Sequence, residues 1–328
     1  MDSNYAKLDT LDRQILHALY VDGRAPFKHV AAVIGSSEQT VARRYRRLRE
    51  GGIARVVAQL AGDRLERSDW LLRLRPLRGG AELAAALAAR PDTAWVELAS
   101  LGSEIFCVIR AQRDPAAVHL LLDHLPGRGR IVAFESHRAL HLFIDGSKPP
   151  VALGDALTAE QVARLRRERP PGHSGRPHAG LRDGDWPLVE ALIKDGRATY
   201  RELAERTNWH ESTVRGRIEE LLRDGLLYFD LDIDTEILGL TTRAVLWLTV
   251  APAQLSAVGA ALAEHPEVPI VVATTGPSNL MAAVVCASDR ALYDYLTGPF
   301  AALEGVLKIE TVPVSRSVKR HVTVQGFK

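Results

Sequence analysis

The sequence predicts an α+β protein built from two copies of one unit, each a winged-type helix-turn-helix followed by a ferredoxin-like βαββαβ module. Three observations predict this fold class. The chain repeats itself at a nearly constant offset, each copy begins with three short amphipathic segments, and the rest of each copy alternates strand-like and helix-like segments. The expected order is helix-turn-helix 1 (8–56), ferredoxin-like module 1 (68–144), a linker (145–180), helix-turn-helix 2 (181–229) and ferredoxin-like module 2 (240–318).

The repeat appears when the sequence is compared with itself at an offset of 173 residues. Residues 8–53 then align with residues 181–226 without a gap, and 15 of the 46 positions are identical. The longest identical block is Asp-Gly-Arg-Ala at residues 22–25 and 195–198. The match continues at offsets of 174 to 175, at Arg90-Pro91 and His265-Pro266, Gly102 and Gly276, Asp114 and Asp289, and Glu135 and Glu310. The chain is therefore a tandem duplication.

The stretch between the copies, residues 145–180, has the composition of a linker. It contains two Pro-Pro pairs and several glycines, which disfavour regular structure. Within it, Thr158 is a suitable N-cap for a short helix that reaches Arg167, with Gln161 at the position that completes a capping box.

The first helix-turn-helix is predicted from its caps and turn residues. Asp12 is a suitable N-cap for a first helix, and Asp22-Gly23 ends that helix. Pro26 suits the first turn of a second helix, Gly35 makes a tight turn, and Ser37 caps a third helix. Three short helices with a glycine-containing turn between the second and third form a helix-turn-helix, whose third helix is the recognition helix.

The third helix carries five arginines in the nine residues 41–49. Its apolar residues Val41, Tyr45 and Leu48 are spaced to face inward, which turns the arginines outward. Guanidinium groups bind phosphates bidentately and reach guanine edges in the major groove, so the pattern favours DNA binding over a merely solvated helix face. The candidate DNA-binding residues are Ser37, Gln39, Thr40, Arg43, Arg44, Arg46, Arg47, Arg49, Arg215 and Arg217.

The two helix-turn-helix regions differ in charge. Residues 8–55 hold nine basic and five acidic residues, whereas residues 181–228 hold eight basic and ten acidic residues. Glu219-Glu220 occupies the positions of Arg46-Arg47, and His210, a poorer cap, replaces the serine cap. Because non-specific DNA affinity is mainly electrostatic, we expect the first region to do most of the DNA binding.

The remainder of each copy reads as strand, helix, strand, strand, helix, strand. The expected segments are 70–76, 81–89, 93–99, 105–110, 115–125 and 130–136 in module 1. They are 243–250, 255–264, 268–275, 280–287, 289–296 and 306–313 in module 2. Residues 244–249 are largely apolar at both odd and even positions, so both faces of that strand need covering. An exposed patch of that size indicates an interface, and we expect the modules to pair within the chain or between chains.

A helix-turn-helix followed by a βαββαβ module resembles the leucine-responsive and asparagine regulator (Lrp/AsnC) family. The resemblance covers nearly the whole chain apart from the linker. It rests on residues 11–16, 22–24, 43–48 and 52–53 of the first copy and on residues 195–197, 202–204, 213–217 and 275–276 of the second. It implies a transcription regulator that binds double-stranded DNA and whose α/β modules pair sheet to sheet and often bind amino acids. Most members of the family carry one unit per chain, and this chain carries two.

The expected effector site is the turn at residues 274–279 of module 2. Gly276 lets the backbone approach a ligand, and its neighbours offer neutral hydrogen-bonding groups. The family commonly has an acidic residue three positions after this glycine, but here Asn279 and, in the first copy, Ile105 stand there. The effector is therefore expected to be an amino acid or another small metabolite, and an ordinary turn is the competing interpretation. The candidate effector-binding residues are Thr274, Thr275, Gly276, Ser278 and Asn279.

Composition narrows the remaining function classes. No apolar run reaches the roughly 18 residues of a membrane span, and the N-terminus is polar, so we expect a cytoplasmic protein without membrane contact. Cys107 and Cys286 lie in apolar stretches and are expected to be buried free thiols. No zinc-ligand spacing and no nucleotide-binding or hydrolase glycine pattern is present. We therefore predict no metal, no cofactor, no catalytic residues and no enzymatic activity.

Two other interpretations stay open. Some relatives of this fold decarboxylate haem-type tetrapyrroles, and a sirohaem-type decarboxylase needs histidines and arginines around a large cavity. Module 1 contains four histidines, His119, His124, His137 and His141. The competing interpretation is that they are ordinary histidines on the surface or at helix ends. The third interpretation is a ligand-sensing scaffold whose helix-turn-helix regions no longer bind DNA. The arginines at 43–49 argue against this interpretation, but only for the first region.

Overall fold

The computed structural model describes residues 8–60, 68–90, 92–111, 131–143, 153–154, 156–166, 180–320 and 323–324. The helices within these residues are α1 (Thr10–Val21), α2 (Phe27–Ile34), α3 (Glu38–Glu50), α4 (Gly80–Ala88), α5 (Ala159–Leu165), α6 (Trp186–Lys194), α7 (Tyr200–Thr207), α8 (Glu211–Arg223), α9 (Leu255–Ala263) and α10 (Asp289–Thr297). The strands are β1 (Ala54–Leu60), β2 (Ser68–Pro76), β3 (Thr93–Ala99), β4 (Glu104–Ala111), β5 (Ile131–Leu142), β6 (Leu227–Ile233), β7 (Thr242–Val250), β8 (Ile270–Thr274), β9 (Leu280–Cys286), β10 (Val306–Arg320) and β11 (Thr323–Val324).

The chain divides into two compact units that do not follow its linear order. Residues 1–65 and 151–238 form one unit, and residues 66–150 and 239–328 form the other. Each unit therefore combines the equivalent parts of the two copies. The first holds both helix-turn-helix regions, and the second holds both α/β modules.

The three-helix pattern of each helix-turn-helix is set by its caps and turns. The N-cap of α1 is Asp9, not Asp12 as predicted. Asp12 instead lies one turn inside the helix, where it completes a capping box with Asp9. The turn after α2 uses Gly35 at φ +70°, and the equivalent turn after α7 uses Asn208 at φ +56°. Asparagine is one of the few residues that adopts this left-handed conformation readily, so both turns keep the same geometry.

A short linker helix lies against the first helix-turn-helix. Thr158 caps α5 and forms the predicted capping box with Gln161, although the helix ends at Leu165 rather than at Arg167. The side-chain amide of Gln161 also donates to the carbonyl oxygen of Val33 at 3.0 Å. Leu165 is 2% exposed. Part of the linker is therefore ordered against α2.

The second unit is built around one nine-stranded sheet. Module 1 contributes β3, β4, β2 and β5, and module 2 contributes β8, β9, β7 and β10, each in the strand order of a ferredoxin-like module. β5 pairs with β2 and continues to pair with β8 of module 2. In the same way β10 pairs with β7 and continues to pair with β3 of module 1. These two long strands join the two module sheets into a closed ring.

Residues 244–249 show how both faces of a strand are covered. Ala244, Leu246 and Leu248 pack in the core between the sheet of module 2 and its helices. Val245 and Trp247 pack instead in a core that includes Leu71 and Phe106 of module 1. The predicted pairing of the modules is therefore found within one chain.

Both cysteines are free and buried, as predicted. Burial raises the pKa of Cys107 to about 12 and that of Cys286 to about 11, so both thiols stay protonated near neutral pH. In the described part of the chain, every helix is too short or too polar to cross a bilayer. The helix expected at 115–125 lies outside the described residues.

Candidate nucleic-acid interface

The recognition helix of the first helix-turn-helix is firmly held by its inner face. The Ser37 hydroxyl accepts a hydrogen bond from the backbone N–H of Thr40 at 3.1 Å, which confirms the predicted cap. Val41, Tyr45 and Leu48 are buried. The Tyr45 hydroxyl accepts from the backbone N–H of Val56 at 3.1 Å, which ties α3 to β1. Burial raises the pKa of Tyr45. The outer face of α3 therefore projects from a rigid support.

The arginines of α3 separate into free and engaged groups. Arg43 and Arg46 are exposed, and neither forms an ion pair with another described residue. Arg47 is half-exposed and binds Asp12 at 2.5 Å. Arg49 is also half-exposed and binds Asp195 of the second helix-turn-helix at 2.8 Å. Arg43 and Arg46 can thus reach a polyanion without first breaking an ion pair.

Arg44 has a structural role. Its guanidinium binds both Asp9 and Asp12, the second at 3.2 Å. The hydrogen bond from Arg44 holds the pKa of the Asp9 carboxyl below its ordinary value. Asp12 is 1% exposed. Arg44 is also a predicted DNA-binding residue, and its ion pairs join α3 to the start of α1.

Gln39 and Thr40 lie at the start of the same helix. Gln39 is exposed, and Thr40 is partly buried and accepts a hydrogen bond from the Ser37 hydroxyl at 2.8 Å. The first turn of α3 therefore presents polar groups next to Arg43. Amide and hydroxyl groups at this place in a recognition helix can contact base edges.

The second recognition helix repeats the ion pair between an arginine and the aspartate at the start of the first helix, but the arginines at the positions of Arg43 and Arg46 are missing. Arg217 is 5% exposed and donates to Asp185 through Nε and Nη2, at 2.9 and 2.5 Å. It is therefore unavailable to DNA in this conformation, contrary to the sequence-based expectation. Burial alone would raise the pKa of Asp185, but the hydrogen bonds from Arg217 hold it below its ordinary value. Arg215 is exposed and lies over the ring of Tyr200 at 4.8 Å.

Reciprocal contacts join the two helix-turn-helix regions. Arg24 donates to the carbonyl oxygens of Gly196 and Ala198 at 2.7 and 3.1 Å. Arg197 makes the equivalent bonds to the first copy, at 2.6 and 3.0 Å. β1 and β6 pair antiparallel beside them. The identical Asp-Gly-Arg-Ala blocks thus form an interface between the copies, a role that the sequence analysis did not predict because it took them as helix ends and as evidence of the repeat.

The turn at residues 274–279, the expected effector site, packs against module 1. Thr275 accepts a hydrogen bond at its Oγ1 from the backbone N–H of Arg138 at 2.8 Å, and its carbonyl oxygen lies 2.8 Å from His137 Nδ1. Gly276 has φ +103°, and a Cβ there would lie 2.6 Å from the His137 ring. A larger residue at Gly276 would therefore push the turn away from β5.

Two more of the predicted effector residues have hydrogen-bond partners within module 2. Thr274 is buried and donates to the carbonyl oxygen of Ser278 at 2.9 Å. The Asn279 side chain accepts from the backbone N–H of Val250 at 2.8 Å and donates to its carbonyl oxygen at 2.7 Å. These side chains stabilise the turn, which leaves Thr275 and Gly276 as the exposed predicted residues.

A buried polar cluster lies between the paired modules. Arg73, 5% exposed, donates to Glu104 and to Glu310, in each case at 2.7 Å for the shorter bond. Its guanidinium carbon lies 5.1 Å from the centre of the Trp247 ring. His137 is 2% exposed, and its ring lies 4.7 Å from the same indole. The cluster brings a cation, carboxylates and an imidazole together inside the second unit.

The other histidines that could serve an enzyme do not join this cluster in the described part of the chain. His141 is exposed, with its ring 4.6 Å from that of Phe143. His119 and His124 lie outside the described residues.

Comparison with known proteins gives two family matches. A model of the AsnC-type helix-turn-helix domain matches residues 8–49 and 183–222, and a model of the Lrp/AsnC ligand binding domain matches residues 243–324. An uncharacterized HTH-type transcriptional regulator of Pyrococcus furiosus is 32% identical over 137 residues, which are 42% of this chain and 92% of that protein. The regulator LrpA1 of Halobacterium salinarum is 31% identical over 120 residues, which are 36% of this chain and 84% of that protein.

A solved structure is similar over nearly the whole chain. It is the siroheme decarboxylase NirDL, with a TM-score of 0.62 and 14% sequence identity. The likeness covers 98% of this chain and 95% of that one. At this identity it establishes a shared fold.

Proposed function

Because the chain belongs to the Lrp/AsnC family of transcription regulators, we propose that it binds specific DNA sequences through α3 and that a small-molecule effector in its α/β modules modulates this binding. The protein would act in the cytoplasm, where the chromosome of a bacterium or archaeon lies.

The observation that carries the DNA-binding proposal is the outer face of α3. Arg43 and Arg46 project from a helix whose inner face is buried, and polar groups precede them at its N-terminal end. Phosphate contacts supply most of the affinity for DNA, and side chains at the start of the recognition helix supply base contacts. A solvated surface helix would not require such an uncompensated set of arginines.

Retention of genomic DNA tests this proposal. The purified full-length chain is immobilised and incubated with sheared genomic DNA, and retained fragments are sequenced. We expect a limited set of fragments that share a sequence, and loss of retention by the variant Arg43→Ala/Arg46→Ala. Arg201→Ala is the matched control, because Arg201 is 81% exposed on α7 and pairs only with Glu205 among described residues. Equal recovery by wild type and the double variant would contradict the proposal.

The effector is proposed to bind at the turn of residues 274–279. Thr275 and Gly276 are exposed there, and the turn is hydrogen-bonded to module 1 through Arg138 and His137. A ligand at this place would contact both modules at once. The turn itself has no acidic residue to pair with an α-ammonium group, so a small metabolite other than a simple amino acid fits its chemistry as well.

Self-association through the α/β modules is also proposed. Val132 on β5 and Leu307 on β10 occupy equivalent positions of the two copies and are 68% and 70% exposed. Phe134 and Ile309 lie two residues further along each strand and are also exposed. Paired apolar side chains on a module surface favour contact with another chain.

The second candidate function is decarboxylation of a sirohaem-type tetrapyrrole. The likeness to siroheme decarboxylase NirDL over nearly the whole chain favours it, and the cluster around Arg73 and His137 offers polar side chains between the modules. The regulator is preferred because the family matches are to transcription regulators and because decarboxylation gives little reason to keep the exposed arginines of α3. Visible absorption separates the two: a decarboxylase should show a bound-tetrapyrrole spectrum after incubation with an iron tetrapyrrole, whereas the regulator should not.

A further inference from the structure

The two helix-turn-helix regions form a pair related by an approximate two-fold axis. Arg24 and Arg197 make the same pair of hydrogen bonds in opposite directions. Arg24 lies over the Tyr200 ring at 5.0 Å, and Arg197 lies over the equivalent Phe27 ring at 4.1 Å. A pair of identical recognition helices held in this way would read an inverted repeat, because operator symmetry mirrors protein symmetry.

The symmetry holds inside the unit and breaks on the outer face of the recognition helices. Arg44 and Arg217 are equivalent, and each binds the aspartate at the start of its own first helix. At the positions equivalent to the other arginines of α3, α8 has no arginine. Positions 43, 46, 47 and 49 hold arginine in the first copy, and the equivalent positions hold Gly216, Glu219, Glu220 and Leu222.

The exposed face of α8 carries Arg215 and Arg223 but is less suited to phosphate than that of α3. Glu219 is exposed, so its carboxylate would repel a nearby phosphate. Glu220 is partly buried and binds Arg182 and Arg217, which uses both arginines in local ion pairs. His210 makes no side-chain capping bond, so the first turn of α8 also differs from that of α3.

We infer that the DNA element read by one chain is asymmetric. The half under α3 carries defined bases and is anchored through its phosphates, whereas α8 lies over the other half, anchors it weakly and imposes little base preference. This inference rests on the proposed DNA-binding function and adds the symmetry of the target. A covalently linked pair allows it, because each recognition helix is encoded separately.

Selection of binding sites from random double-stranded DNA by the full chain tests the inference. We expect a recovered sequence with one defined half and no inverted copy of it. Recovery of an inverted repeat with two equally defined halves would overturn the inference while leaving DNA binding intact. Recovery of no preferred sequence would overturn the proposed function itself, so the two failures are distinguishable.

A gain-of-function variant tests the place assigned to α8. In Gly216→Arg/Glu219→Arg, both new side chains are on the exposed face, and a Cβ at Gly216 meets nothing within 4 Å. Two added phosphate contacts should steepen the slope of log affinity against log salt by about 1.8. The selected site should also gain definition in its second half. A slope and a selected site equal to those of wild type would show that α8 does not lie over the DNA and would overturn the inference.

Discussion

Removing the two unpaired arginines of α3 should flatten the salt dependence of DNA binding. Each phosphate contact contributes about 0.9 to the slope of log affinity against log salt, so Arg43→Ala/Arg46→Ala should lower the slope by about 1.8. Between 50 and 200 mM salt, wild type should therefore lose about twelvefold more affinity than the variant does. Both side chains are exposed and make no ion pair among the described residues, so the fold should keep its stability.

Fluorescence anisotropy on a DNA fragment retained by the protein measures this slope at several salt concentrations. Thermal unfolding of each variant checks that the fold is unchanged. Arg201→Ala serves as the control, and its slope should equal that of wild type. An unchanged slope for the double variant would refute the assignment of α3 as the phosphate-contacting helix.

Three other predictions follow from the structure. Asp185→Asn should destabilise the protein by about 3 kcal/mol, because the buried Arg217 loses its ion pair with Asp185 and keeps only the partly exposed Glu220 as a charged partner among the described residues. Because the folded-state pKa of Asp185 is lowered, its contribution to stability is present above about pH 4 and is lost as the pH falls below that value. The free energies of unfolding of wild type and variant should therefore converge in acid. A difference that stays constant with pH would contradict this prediction. Calorimetry against the twenty amino acids and common metabolites should identify an effector, and Thr275→Ala should lower the affinity for it. Unchanged affinity would place the site elsewhere. Isolated residues 239–328 should self-associate in light scattering, because the face with Trp247 loses its partner; stable monomers would count against this.

The helix-turn-helix regions were largely predictable because local chemistry decides them. The caps at Ser37 and Thr158 form as expected, and His210 makes no capping bond. The first cap was misplaced because Asp9 and Asp12 are both suitable, and only the geometry of the capping box distinguishes them. Local sequence thus gives the helices, with small errors at their ends.

The roles of the arginines depend on contacts between distant residues, and sequence periodicity does not reveal these. Arg44 was counted with its outward-facing neighbours, but its partner Asp12 lies 32 positions away along the chain. One signal was available, because Asp12 and Arg44 are both retained in the second copy while the other arginines of α3 are not. Two residues that are identical in both copies of a repeat, while the surface residues around them differ, are candidates for an ion pair that stabilises the fold.

The long strands of the second unit show a similar limit. The last strand of each module was predicted to end at 136 and at 313, but β5 continues to Leu142 and β10 to Arg320. Both extensions pair with a strand of the other module. When the end of a strand pairs with another module, the nearby sequence does not show where that strand ends.

Transcript levels test the central claim, regulation of transcription through α3, most directly. In cells that lack the chain, transcripts from genes beside the retained DNA fragments should change. Wild type should restore them, whereas Arg43→Ala/Arg46→Ala, produced at the same level, should not. Unchanged transcripts in the absence of the chain, or full restoration by the double variant, would contradict the account.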